Sequence, residues 1–172
     1  MGIPRGNKEK TVTSQTKPLI IETPSDREIL VTRIFNAPRS LVWDCHTKPE
    51  LVRRWLLGPP GWSMPLCEID LRVGGKYHYR WRNDTDGSEF GFNGIHREIE
   101  APVRIVTTER FDGAEGEALS TLVLAEQNGK TTLSLTMLFS TKEARDGALA
   151  TGMTDGMETS YQRLDQIAAS TA

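Results

Sequence analysis

Over residues 27–36 an extended chain divides its side chains between two faces, Ile29, Val31, Arg33 and Phe35 on one and Leu30, Thr32 and Ile34 on the other. That period of two predicts a strand. Leu19-Ile20-Ile21, before the Pro24-Ser25-Asp26 turn, is expected to pair with it as an extra edge segment. Pro38 suits the first position of a helix over 38–46. Thr47-Lys48-Pro49-Glu50 has capping-box spacing and predicts a second short helix through Leu56, with Leu51, Val52, Trp55 and Leu56 on its apolar face. Gly58-Pro59-Pro60-Gly61 ends it.

From there the pattern turns to strands, expected at 65–72, 75–83, 89–100, 103–111, 117–126 and 130–140. Gly74-Gly75, Asp86-Gly87 and Asn128-Gly129 occupy hairpin positions, and Ala101-Pro102 breaks the remaining pair. Consecutive strands joined by short turns imply an antiparallel meander. The period then changes. Leu149, Met153, Met157, Tyr161, Leu164 and Ala168 recur at steps of four and three, which predicts one helix from Ser140 to Ala169, opened by a Ser140/Glu143 capping box. It would run about 40 Å at the α-helical rise and cover the apolar face of the sheet. Gly147, Gly152 and Gly156 each cost such a helix roughly 1 kcal/mol relative to Ala. A stripe of Met and Tyr beside glycines suits the wall of a pocket as well as a sealed core.

Composition narrows the classes. A chain of 172 residues with 37% hydrophobic and 26% charged residues can bury one core, so a single domain over 18–172 is expected. Residues 1–17, polar and poor in apolar side chains, are expected to be a disordered arm. The net charge of −2 and the lack of a long basic run argue against nucleic acid as a partner. No segment has the roughly 20 apolar residues of a membrane helix, so no membrane insertion is expected. Gly2 is followed by Gly6 where a myristoylation pattern wants Ser or Thr. The polar N-terminus and two unpaired cysteines, Cys45 and Cys67, point to a cytoplasmic protein.

Candidate chemistry centres on Tyr77, Tyr79 and Trp81, which alternate with Lys76, His78, Arg80 and Arg82. The aromatic face should point at the long helix. Core packing is the plainer reading of it, and pocket lining with phenol and indole anchors is the functional one. His96 follows Phe92 and Gly94 on the next strand and joins the same face if they do. Glu98 and Glu109 could add carboxylates there. Met153, Met157 and Tyr161 would line the helix side, and Trp55 would gate a mouth near Trp43 and Trp62. His46, His78 and His96 lack metal-ligand spacing, and no catalytic triad or nucleotide loop is present, so neither metal nor cofactor is expected.

Four segments carry a resemblance to a known family. They are Phe35-Asn36-Ala37-Pro38; Pro49-Glu50-Leu51 with Arg54-Trp55 and Gly58-Pro59; Asp70-Leu71-Arg72-Val73-Gly74-Gly75; and Gly152-Met153, Gly156-Met157, Ser160-Tyr161 and Arg163-Leu164. Spanning about 27–168, they resemble the START-like (SRPBCC) superfamily, and within it the C-terminal-domain family of the activator of the heat-shock-protein-90 ATPase. The resemblance implies an α+β helix-grip fold: a curved antiparallel sheet of six to seven strands around a long C-terminal helix, with two short helices after the first strand.

It also implies a cavity between sheet and helix. Three functions follow, in order of preference. The first is a small-molecule-binding protein for a lipid-like or aromatic ligand, with Trp55, Tyr77, Tyr79, Trp81, His96, Met153, Met157 and Tyr161 as binding residues. The second is a cyclase, dehydratase or hydrolase using His96 with a carboxylate or Tyr. The third is a co-chaperone-like protein-binding module. A homodimer is compatible with the sequence.

Overall fold

The structure, a computed structural model, describes residues 19–171. The expected arm over 1–17 lies outside the described residues. The chain runs β1 (Ile20–Glu22), β2 (Glu28–Phe35), α1 (Arg39–Thr47), α2 (Pro49–Trp55), β3 (Trp62–Ile69), β4 (Lys76–Asn83), β5 (Glu89–Glu100), β6 (Arg104–Phe111), β7 (Ala118–Gln127), β8 (Lys130–Leu138), α3 (Lys142–Ala150) and α4 (Met153–Thr171). The strands form one antiparallel sheet in the order β1-β2-β8-β7-β6-β5-β4-β3. This is the α+β helix-grip arrangement, with eight strands rather than six to seven. The edge segment Leu19–Ile21 supplies the extra one: Ile20 pairs with Thr32 and Ile21 with Val31.

Three local expectations are corrected. The long C-terminal helix is two helices, broken at Gly152, whose φ is +75°. The backbone N–H groups of Thr151 and Gly152 donate to the carbonyls of Ala148 and Leu149, a left-handed helix stop that glycine enters without steric cost. The α3 N-cap is Thr141, whose hydroxyl accepts from the Ala144 N–H, not Ser140. Thr47 does not cap α2: its hydroxyl donates back to the Trp43 carbonyl inside α1, and Pro49 opens α2 without a side-chain cap.

The stripe read from the sequence nevertheless packs inward across the break. Leu149, Met153, Met157, Tyr161, Leu164 and Ala168 all meet the main core, built on Ile29, Val31, Phe35, Val42, Leu124 and Leu133. A smaller cluster of Val52, Met64, Cys67 and Trp81 lies under α2, and Leu56 packs against both. Arg33 is set into the main core at 3% exposure. Its guanidinium makes two hydrogen bonds to Glu158 (both 3.1 Å) and two to Asp165 (3.0 and 2.8 Å), and lies 4.8 Å from the Phe35 ring centre. Burial opposes its charge, but the two carboxylates outweigh burial and raise its pKa further. The fork satisfies the buried charge and ties α4 to the centre of β2. Among the described residues no helix is long and apolar enough to cross a membrane.

Candidate functional site

Strand register fixes which side chains share the helix-facing side of the sheet. One row reads Cys67, Tyr79, Phe92 and Phe111 across β3 to β6. The next joins Ile69, Tyr77 and Gly94. A third joins His96, Thr107, Ser120, Met137 and Ile29 across β5, β6, β7, β8 and β2. The pairs Asn93–Arg110 and His96–Thr107 bracket Gly94 and place it opposite Glu109, which in turn pairs with Ala118. Glu109 therefore stands between two residues with little or no side chain.

Gly94 is needed for that arrangement. A Cβ there would overlap the Thr108 carbonyl oxygen and lie 2.8 Å from Cε1 of Tyr77. The Tyr77 ring uses the space, and its hydroxyl donates to the Thr108 carbonyl at 2.8 Å. Tyr79 lies 5.2 Å from Tyr77 and 6.0 Å from Trp81, ring centre to ring centre. Trp81 is anchored by its indole N–H, which donates to the Leu56 carbonyl at 2.7 Å.

The polar groups on this face are unequally satisfied. The Ser120 hydroxyl donates to Oε2 of Glu109 at 3.0 Å, and no other described residue bonds that carboxyl. Burial raises the Glu109 pKa, with the Ser120 bond a smaller opposing effect. Burial, with the Glu109 charge adding to it, raises the pKa of both Tyr77 and Tyr79. Among the described residues the Tyr79 hydroxyl has no hydrogen-bond partner. Tyr79 and Glu109 are only half-buried. His96 is 4% exposed, and its Nδ1 meets the Gly75 carbonyl at 3.2 Å, which makes Nδ1 the donor. Its Nε2 has no partner among the described residues.

The helix side is different in kind. Trp55, at 2% exposure, stacks on Tyr161 with ring centres 5.5 Å apart, and its indole N–H donates to the Cys45 carbonyl at 2.7 Å. It is a fixed wall of the core rather than a side chain at an open mouth. His46 packs edge-on to Trp55 at 4.8 Å; burial lowers its pKa to about 4 against the raising effect of the Val42 carbonyl. Met153 and Met157 are partly buried against the main core. The eight residues named from the sequence thus fall into two groups, Tyr77, Tyr79, Trp81 and His96 on the sheet and Trp55, Met153, Met157 and Tyr161 around α4, with Leu56 between the two clusters.

Two further carboxylates separate. Glu98 turns outward to an ion pair with Arg104, so it joins neither His96 nor Tyr79. Glu109 turns inward. Its position was readable in the sequence, because the alternation that buries Ile105 also places Thr107 and Glu109 on that side. Burial pushes the Cys67 thiol up to about 11 and raises Cys45 as well, so neither is a ready thiolate. Among the described residues no cluster of three or more His, Cys, Asp or Glu is placed to hold a metal.

The outer face carries its own polar cluster. Asp112 accepts from Arg80 (2.6 Å), from Asn93 (2.6 Å) and from Nε2 of His78 (2.8 Å). Burial opposes its charge, yet these donors hold its pKa below the ordinary value. Gly91 makes room, since a Cβ there would overlap the Asp112 carboxylate and the Tyr79 carbonyl. An open depression on the surface, about 670 Å³, lies elsewhere, between Ser25–Glu28 and Leu138, and none of the aromatic rings of the sheet interior lines it.

Comparison with known proteins agrees with the fold. A crystal structure of a Rhodobacter sphaeroides protein is 31% identical with a TM-score of 0.84, covering 90% of this chain and 99% of that one. Protein CV1439 of Chromobacterium violaceum is 25% identical with a TM-score of 0.74, covering 84% and 98%. A solution structure of an AHSA1-like protein from Aeromonas hydrophila, 20% identical with a TM-score of 0.62 over 80% of this chain and 93% of that one, shares the fold. No curated protein matches. Residues 36–169 match the family described as Activator of Hsp90 ATPase homolog 1-like protein, and the chain belongs to that family.

Proposed function

We propose that this chain binds a hydrophobic or aromatic small molecule between the sheet and the C-terminal helices, with Tyr77, Tyr79, Trp81 and His96 on one wall and Met153, Met157 and Tyr161 on the other. Family membership is compatible with small-molecule or protein binding. One observation favours the small molecule. Tyr79 and Glu109 stand on the helix-facing side of the sheet, keep accessible surface, and present a hydroxyl and a carboxylate oxygen that no described residue bonds. An accessible polar atom set among aromatic rings is free to meet a ligand, and an apolar site with a few polar anchors is the usual form of a ligand pocket. Of the two carboxylates named with His96, Glu98 faces outward and pairs with Arg104.

A thermal-shift screen tests the proposal. Anilinonaphthalene sulfonate, oleate, progesterone and naringenin cover the classes. A compound at about 100 times its Kd adds about 2.7 kcal/mol of stability, or several degrees in Tm. Tyr79→Trp, which fills the space, should reduce the shift. A flat response to every compound refutes the proposal.

A further inference from the structure

The groups without protein partners on the sheet interior can all accept a hydrogen bond. When ionised, Glu109 Oε1 accepts only. His96 Nε2 is an acceptor while the ring is neutral, because Nδ1 donates to Gly75. The Tyr79 hydroxyl can act either way. No cation answers them: no Lys or Arg of the described residues bonds or bears on the Glu109 carboxyl. Arg33 is committed to Glu158 and Asp165, and Arg80 to Asp112 on the outer face.

Around Glu109 the walls are aromatic. Tyr77 leans over Gly94 beside it, and the Glu109 charge acts on both Tyr77 and Tyr79. Ala118, opposite Glu109 on β7, is small, and Gly94 on the other side lets the Tyr77 ring close in beside the carboxyl. A half-buried carboxylate with one hydroxyl donor gains from an opposite charge brought to its free oxygen. Aromatic ring faces attract cations, most strongly where water is excluded. A carboxylate beside tyrosine rings, with acceptors nearby and no resident cation, is complementary to an organic ammonium group.

We propose that Glu109, with Ser120 holding its other oxygen and Tyr77 and Tyr79 flanking it, receives the ammonium head of an amphiphilic amine whose apolar body lies against Met153 and Met157. This assignment rests on the ligand-binding reading above. In it Ser120 is a positioning residue: its hydroxyl fixes the carboxylate so that Oε1 faces the ligand.

The test compares 4-phenylbutylamine with 4-phenylbutan-1-ol at pH 7.4, titrated into the full chain and followed by calorimetry. The two differ only in the head, and the amine is protonated. The amine should bind at least about tenfold more tightly than the alcohol, as expected when a desolvated charge pair forms. Glu109→Gln should abolish that preference and leave alcohol affinity within about twofold, while Glu109→Asp should retain it. Melting curves for each variant confirm folding. Equal affinity for the two compounds overturns the assignment, as does a preference that survives Glu109→Gln. If neither compound binds while naringenin or progesterone shifts the Tm, the assignment fails and the ligand-binding reading stands. If every compound is silent, both fail.

Discussion

Two glycines five residues apart should respond to alanine with opposite signs. Gly147 lies inside α3 with helical backbone, and a Cβ added there meets nothing within 4 Å. Alanine there adds no clash and removes the entropy cost of a helical glycine, a gain of about 0.5–1 kcal/mol. Gly152 also has open space around it, but its φ of +75° belongs to the left-handed region. Alanine there is strained by about 1–2 kcal/mol. The difference between the two variants is therefore about 2 kcal/mol, although neither substitution touches a neighbour. Reversible urea unfolding measures it directly. In a domain of this size it corresponds to roughly 4–8 °C between the two melting temperatures. Gly152→Asn is the control, because Asn tolerates left-handed backbone and should lose less than alanine. If Gly152→Ala stabilises the protein as Gly147→Ala does, the helix runs unbroken from 142 to 171 and the break at Gly152 is wrong.

The clamp at the centre of β2 gives a second prediction. Replacing Glu158 and Asp165 together by Gln and Asn strands the buried Arg33 charge and should cost about 3–5 kcal/mol in chemical denaturation. The same clamp fixes the acid limb of stability. Burial raises the Glu158 pKa, but Arg33 outweighs it and the net pKa is lowered. Its contribution is therefore present above the unfolded-state value near 4.3 and is lost as pH falls through the lower folded value, so the wild type should lose stability faster than the double variant in that acid window. Glu109 has the opposite sign. Its folded pKa is raised, so the stability linked to it is complete below about 4.3 and lost as pH rises. Glu109→Gln should gain on the wild type across that rise, read from unfolding midpoints against pH. Gly94→Ala forces its Cβ into the Thr108 carbonyl and the Tyr77 ring and should cost about 1–3 kcal/mol, with near-ultraviolet dichroism reporting the displaced tyrosine.

Most strands were legible because one face of each is buried. The alternation through Ile29, Val31, Arg33 and Phe35 gives β2 to within a residue at each end, and β5 matches at both ends. The start of β3 was not legible, because Pro65 sits within an irregular register between Ser63 and Leu66 and the alternation fails there. The helix break was hidden for another reason. Leu149 to Met153 is a step of four, so the apolar stripe keeps its phase across Gly152, and periodicity cannot distinguish a stop followed by a new helix from continuation. Arg33 was placed on the correct face, but its partners lie more than 120 residues away and carry no local signal. The tyrosine and tryptophan stripe of β4 was legible as a face. That Tyr77 spends its hydroxyl on Thr108 while Tyr79 keeps its own depends on Gly94, and so on register rather than on composition.

The Asp112 clasp fastens the sheet without drawing on its interior-facing residues. It joins β4, β5 and the end of β6 from the outer face, through side chains that never reach the interior. The shape of the sheet is thus held from behind. Positions 79, 92 and 111 can be exchanged without dismantling the fastening, so the inner row can vary while the outer one stays fixed. In a protein built this way, relatives should keep the clasp while their inner rows diverge.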